Sequence, residues 1–345
     1  ISDCLGRRGA IMQSFALWVT SCCNMQCTYC YEGKEKKNTY MSQQTLDNVI
    51  DFIDEHMSHN PGEDLLIDFH GGEPLLQFDK IEYAIEKFNK MFGKRVRYGI
   101  TTNGTILTDN ILKCLVDNFH YSLSVSIDGT RETHDQKRRM KDGKGSYDLV
   151  IKNARRILEK RKDVRVRMTV DSTTVNKLFS NVCALNAEGF KLIVPGIDYF
   201  DSKWDQDKML ILYQQMLLLK EEIQKGKLTA RVGLLDDYQS TAVRVCTGGK
   251  NSFHISSSGT IYPCAFVEGN LKYVIGNVCD GLDSKKIQWI QSINELSVKA
   301  CENCAHEQGC ISTRCKILNK ILVGDFCTPS PVICNVENLK FNMSK

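Results

Sequence analysis

Residues 22–31 read Cys22-Cys23-Asn24-Met25-Gln26-Cys27-Thr28-Tyr29-Cys30-Tyr31, four cysteines within nine positions, directly after an apolar run at 12–19. A disulfide knot, a zinc site and an iron–sulfur site all use clustered cysteines. The rest of the chain narrows the choice. It has 345 residues, 42% hydrophobic and 25% charged, enough to build a core without covalent staples. Arg7-Arg8 followed by Phe15-Ala16-Leu17-Trp18-Val19 imitates a signal peptide, but it is short and has no small-residue cleavage site. Without an export signal the compartment reads as the reducing cytoplasm, and sixteen cysteines there point to metal.

Forty-five Lys and Arg stand against 41 Asp and Glu, too even a balance for a nucleic-acid partner. The densest basic run, 161–167, reads as a solvated helix end and strand edge. No apolar run approaches the roughly 20 residues that span a bilayer, so no membrane partner is expected.

Outward from the cysteines, hydrophobic periodicity switches between two patterns. Apolar runs predict strands at 12–19, 65–69, 96–101, 121–127, 164–170 and 192–197. Between them, amphipathic spacing predicts helices near 42–58, 79–92, 108–118, 146–160, 176–188 and 204–225. Ser42 and Ser146 read as caps, and Asn60-Pro61-Gly62 as a stop. The fourth of these helices is expected to bury Leu149, Val150, Ala154, Ile157 and Leu158. Six strand–helix units in series imply an α/β fold with a parallel sheet, either a partial barrel or a doubly wound sheet. Chemistry then belongs just after the strands. The pattern stops near 235, which divides the chain into 1–235 and a cysteine-rich 236–345.

The motifs fall where that rule puts them. Cys23-x3-Cys27-x2-Cys30 follows strand one, Gly71-Gly72-Glu73-Pro74 strand two, Thr101-Thr102-Asn103-Gly104 strand three, and Ser126-Ile127-Asp128-Gly129 strand four. Soft sulfur selects zinc, copper(I) or iron–sulfur. A structural zinc wants four closed ligands, whereas this triplet leaves one position open. The cysteine spacing, with aromatic Tyr29 before the last thiol, resembles the radical S-adenosylmethionine (SAM) superfamily. The resemblance implies a partial (β/α)6 TIM barrel, a [4Fe–4S] cluster on Cys23, Cys27 and Cys30, and SAM bound at the open iron and cleaved to a 5′-deoxyadenosyl radical. It further implies that Tyr29, Gly71, Gly72, Glu73, Pro74, Thr102, Asn103, Ser126, Asp128 and Arg138 line the cofactor. His70, His134 and His254 read as structural or supporting groups.

The C-terminal third carries Cys246-x12-Gly259-x4-Cys264, then Cys301-x2-Cys304-x5-Cys310-x4-Cys315, then Cys334. This resembles the SPASM domain, which holds two auxiliary [4Fe–4S] clusters, for three in all. One spacing departs from the usual form: four residues, not three, precede Cys315. The resemblance implies Cys301, Cys304, Cys310 and Cys334 around an outer cluster and Cys246, Cys264 and Cys315 on an inner one. Some relatives supply a further inner ligand where this chain has Ser252; Cys279, Cys327 or a substrate thiol would fill the gap.

The resemblance implies an enzyme that abstracts hydrogen from a ribosomally made peptide and forms an oxidative crosslink, a thioether first. The alternatives are an anaerobic sulfatase maturase making formylglycine, and a non-enzymatic iron–sulfur or zinc protein. Sulfatase maturases carry a basic Asp after the Gly-x4-Cys cysteine, and Ala265 in that place takes no proton. Expected partners are a peptide or protein substrate, a flavodoxin or ferredoxin as electron donor, and a separate leader-peptide-binding protein.

Overall fold

The computed structural model describes residues 12–30, 32–33, 38–235 and 245–344. Arg7-Arg8 and residues 236–244, where the sequence places the domain boundary, lie outside these. In chain order, strand and helix alternate: β1 (Met12–Thr20), α1 (Gln43–Ser58), β2 (Asp64–Gly71), α2 (Phe78–Phe92), β3 (Val96–Thr102) and α3 (Asp109–Asn118). Then come β4 (Ser122–Ser126), α4 (Arg131–Lys137), α5 (Tyr147–Lys160), β5 (Arg165–Val170), α6 (Leu178–Ala187), β6 (Leu192–Ile197) and α7 (Gln206–Gln224). After the short β7 (Arg231–Val232) follow β8 (Ser252–Ile255), β9 (Thr260–Tyr262), β10 (Gly276–Asn277) and β11 (Gly281–Leu282). The chain ends in α8 (Ser284–Glu295), α9 (Ile311–Arg314), α10 (Lys316–Val323) and α11 (Pro331–Met343). All six expected strand–helix units are present, as the α/β reading requires.

Two compact units divide the chain. The first takes the described parts of Ile1–Asn24, Lys34–Leu123 and Thr247–Gln291; the second takes Met25–Gly33, Ser124–Cys246 and Ser292–Lys345. In the first unit the strand order is β11-β10-β9-β8-β1-β2-β3. β1 pairs in parallel with both β2 and β8, so residues 247–291 extend the edge of the N-terminal sheet. That pairing is why the compact units do not follow the sequence boundary.

Alternation along these strands decides which face is dry. Phe15 packs on Phe52 and His56 of α1 and stacks on Phe253 of β8, with ring centroids 5.2 Å apart. Phe69 of β2 and Tyr98 of β3 stack, and the Tyr98 hydroxyl reaches Asn89 of α2 at 3.0 Å. The helices therefore cover the face that these aromatics share. α1 forms as its sequence dictates: Ser42 Oγ accepts from Thr45 N at 3.0 Å, and Leu46, Val49, Ile50, Ile53 and Met57 are buried.

The second unit carries β4 from Ser124 onward, then β5, β6 and β7, all parallel. Three details of this unit differ from the sequence reading. Leu149 is 43% exposed, because it lies about 100° round the helix from Val150 and off the stripe that Ala154, Ile157 and Leu158 continue. Ser146 does not cap α5; its hydroxyl donates to Arg138 O at 2.7 Å and meets His134 Nε2 at 2.9 Å. A seven-residue helix, α4, carries the residues between Gly129 and Arg138, where the sequence gives too short a stripe to show a period.

Candidate active site

The first unit brings together Cys23 and the turns after β2 and β3. Gly72 N donates to Thr20 O at 3.0 Å, and Glu73 N to Cys22 O at 2.8 Å. This clamps the end of β2 onto the cysteine loop. A Cβ on Gly71 would lie 2.0 Å from Thr20 O, and one on Gly72 would lie 2.3 Å from Cys22 O. Both contacts are backbone and cannot yield, so the glycines serve strand–loop approach, a reason the sequence alone does not show. Pro74 opens a short 3-10 turn and is buried.

Glu73 is fully buried, and its carboxylate accepts from Thr102 Oγ1 at 2.7 Å, Asn103 N at 2.6 Å and Leu75 N at 3.1 Å. Those donors are protein groups, so Glu73 fastens the β3 turn to the β2 turn. Asn103 Nδ2 donates to Asn24 Oδ1 at 2.8 Å and stands 3.7 Å from Cys23 Sγ. Cys22 turns away, with Sγ 3.6 Å from Asn38 Oδ1, as a thiol outside the triplet.

The second unit holds Cys27, Tyr29 and Cys30 with the segment after β4. Gln26 N donates to Arg139 O at 2.8 Å and Thr28 N to Lys137 O at 3.0 Å. Asp128 is fully buried; one carboxylate oxygen accepts from Thr169 N at 3.0 Å, and the other accepts from the Tyr29 hydroxyl and forms an ion pair with Arg138, whose Nε lies 3.1 Å away. Arg138 lies 5.3 Å over the Tyr29 ring, with Nη1 4.0 Å from Cys27 Sγ. Burial of Tyr29 holds its phenol protonated, well above the ordinary tyrosine range. Arg138 loses hydration on burial, yet Asp128, Tyr29 and Cys27 hold its cation firmly. A fixed cation beside a thiol favours the thiolate, the form that ligates metal. Ser126 ends β4 and is buried. The sequence did not reveal the buried ion pair of Lys137 with Asp171, 2.5 Å long, next to Arg138 in the chain. Its partners are 34 positions apart and no periodicity links them.

The C-terminal thiols of the second unit fall into two groups. Cys304 and Cys334 act on Cys301, and Cys301 on Cys310. Burial raises the Cys301 and Cys334 thiols and pushes Cys310 up to about 11. The turn between Cys301 and Cys304 places Asn303 at φ 68°, a left-handed conformation that Asn tolerates. In the second group burial pushes Cys315 up to about 11, and Cys246 adds to that shift. The ammonium of Lys316, lowered by burial, feels Cys327, Cys246 and Cys315 together. Cys264 belongs to the first unit, just after β9, where its charge raises Tyr273. Cys279, at the tip of the β10–β11 hairpin, accepts from Asn48 Nδ2 of α1 at 3.1 Å. Ser252 opens β8, paired with Ser14.

Among the described residues, no three His, Cys, Asp or Glu side chains gather closely enough to hold a single metal ion. Thiolates wrap an iron–sulfur cluster from outside and need not converge on one point. The donor set is grouped sulfur, and it fits such clusters. Among the described residues, no helix is long and apolar enough to cross a membrane.

The chain is similar in part to known families and proteins. The radical SAM superfamily profile matches residues 19–176, and that of SPASM, an iron–sulfur cluster-binding domain, matches 246–305. A serine-type anaerobic sulfatase-maturating enzyme of Bacteroides thetaiotaomicron is 36% identical over 39% of this chain and 33% of its own length. An uncharacterized protein of Methanocaldococcus jannaschii is 35% identical over 39% of this chain and 45% of its own. The matches thus span less than half of these two relatives. A cysteine-type anaerobic sulfatase-maturating enzyme of Clostridium novyi is 24% identical over 83% of both chains. Among solved structures, anSMEcpe with bound AdoMet and Kp18Cys peptide aligns with a TM-score of 0.79 at 18% identity, over 96% of this chain and 97% of that one. Streptococcus suis SuiB bound to precursor peptide SuiA aligns at 0.67 and 14%, over 93% and 75%. These two establish the shared α/β fold.

Proposed function

We propose that the chain is a radical SAM enzyme with a SPASM domain and that it carries out the two-electron oxidation of a residue in a peptide or protein substrate. The carrying observation is the loop holding Cys23, Cys27 and Cys30: three thiols within eight residues, with a buried cation at the middle one. When bound, SAM on a [4Fe–4S] cluster of these thiols supplies a carbon radical that removes one substrate hydrogen. The protein residues do the rest. Glu73 locks the β2 and β3 turns and Asp128 locks Tyr29 and Arg138, while Gly71, Gly72, Pro74, Thr102, Asn103 and Ser126 are the remaining residues proposed to line the cofactor.

Two products compete. Ala265 favours a crosslink, most directly a thioether, because the acceptor of sulfatase maturases is missing there. The alignment over 83% of a cysteine-type sulfatase maturase favours formylglycine. Mass spectrometry of candidate peptides after anaerobic turnover separates them: a crosslink loses two hydrogens and keeps its sulfur, whereas cysteine oxidised to an aldehyde loses sulfur and gains oxygen. An unmodified peptide from every cysteine-containing candidate, with SAM cleaved, counts against both.

Two auxiliary clusters would accept the electron released by the substrate. Cys301, Cys304, Cys310 and Cys334 suit the outer one. For the inner one, Cys327 joins Cys246 and Cys315 about Lys316, which makes it the candidate for the place Ser252 does not fill. An iron left open for a substrate thiol is then the second reading. The electron donor would be a flavodoxin or ferredoxin in the cytoplasm, with a separate protein holding the leader peptide.

A further inference from the structure

In the first unit, the strand face away from the helices carries a polar set that the cofactor motifs do not use. Alternation puts Ala16 and Trp18 of β1, Asp68 and His70 of β2, Gly99 of β3 and His254 of β8 on this face, opposite Phe15, Phe69, Tyr98 and Phe253. The register lines them up: Ala16 stands between Asp68 on one side and His254 on the other. His70 Nε2 meets Asp68 Oδ2 at 3.0 Å, and the His70 and His254 rings lie 6.4 Å apart. A Cβ on Gly99 would sit 2.5 Å from Asp68 Oδ1, so the glycine is the space the carboxylate occupies.

His70 and Asp68 keep 27% and 32% of their side chains accessible. The imidazoles hold the Asp68 carboxyl below its usual range against the opposing effect of burial. Burial and the neighbouring His70 push His254 down to about 3, and its Nδ1 has no partner among the described residues. The other groups on this face are Ala16 and Trp18 on β1, Gly99 and Arg97 on β3, the latter ion-paired with Asp64 at 2.8 Å, and on β9 Tyr262, whose phenol burial keeps protonated.

We propose that Asp68 and His70 form a proton-accepting dyad for the peptide substrate, with Asp68 orienting the imidazole that takes the proton. The idea rests on the oxidation proposed above. Removing two electrons from a substrate C–H beside a thiol or hydroxyl releases one hydrogen atom, then one proton and one electron. The atom would go to the 5′-deoxyadenosyl carbon that bound SAM supplies and the electron to an iron–sulfur cluster held by the C-terminal thiols, while His70 takes the proton. His70 immediately precedes the Gly71-Gly72 turn, and β9, which leads into Cys264-Ala265, is paired with the strand carrying His254. The dyad thus supplies the proton acceptor that Ala265 does not.

The test uses the reconstituted enzyme and a cysteine-containing peptide that the wild type modifies. H70A and H70Q should each lower modified peptide per SAM cleaved by about 100-fold or more, the usual weight of a general base. Gln keeps a donor for Asp68 but takes no proton, so H70Q at the wild-type ratio overturns the proposal. D68N should shift the ascending limb of the product pH profile; an unmoved limb removes Asp68 from the dyad. Independently, the cluster-free chain should show a far-downfield imidazole N–H proton resonance that D68N and H70A abolish and H254Q keeps. Its absence from the wild type overturns the dyad. A wild type that cleaves no SAM instead removes the oxidation reading, while the resonance still reports on the dyad.

Discussion

Arg138 shows what one residue gains from its surroundings. It stands in Lys137-Arg138-Arg139, a run that reads equally well as solvated surface. The fold leaves it 8% exposed, with its guanidinium against Asp128, Tyr29 and Cys27. The motif residues were legible because glycine, cysteine and acid spacing is local, whereas these partners are brought in by β4 and the cysteine loop. Arg138→Met should cost about 3 kcal/mol or more, because it strands the buried Asp128 carboxylate. Urea unfolding measures this, and a loss under about 1 kcal/mol contradicts the ion-pair account.

His134 is the second residue-scale case. It accepts from Asp128 N at 3.3 Å, meets Ser146 Oγ at 2.9 Å, and burial pushes it down to about 4. Its folded value lies below the ordinary histidine value near 6.5, so the unfolded chain binds the extra proton first. Stability from the neutral ring is present above about pH 6.5 and is lost as pH falls towards about 4, by up to about 3 kcal/mol. His134→Gln should flatten the fall in melting temperature between pH 7 and 4.5. An identical slope in the variant contradicts the assignment.

At the scale of elements, the sequence read strands and helices well where a dry face imposed a period, as in α1 and β2. It missed α4, which is too short to show one, and misplaced Leu149 by a fraction of a turn. The Asp68–His70–His254 face was invisible for another reason: β8 reaches β1 across more than 230 residues, and nothing local marks the pairing. The end of β2 carries its own test. Gly72→Ala drives a Cβ into Cys22 O, and that carbonyl belongs to the cysteine loop. The variant should take up about four fewer irons per chain on anaerobic reconstitution, one cubane's worth. Full iron content would show that the loop tolerates the shift.

For the whole molecule, six strand–helix units and the cysteine spacings were readable from the chain alone, whereas nothing local marks the pairing that brings 247–291 to the N-terminal strands. Three thiol sets predict about twelve irons per chain after anaerobic reconstitution. About four would leave the C-terminal thiols without clusters. The most direct measurement is 5′-deoxyadenosine formed from SAM by the reconstituted, dithionite-reduced enzyme, compared with the C27A variant. The account predicts 5′-deoxyadenosine and methionine in equal amounts from the wild type and none from C27A. Undiminished cleavage by C27A, or a wild type that carries only zinc and cleaves no SAM, would contradict it.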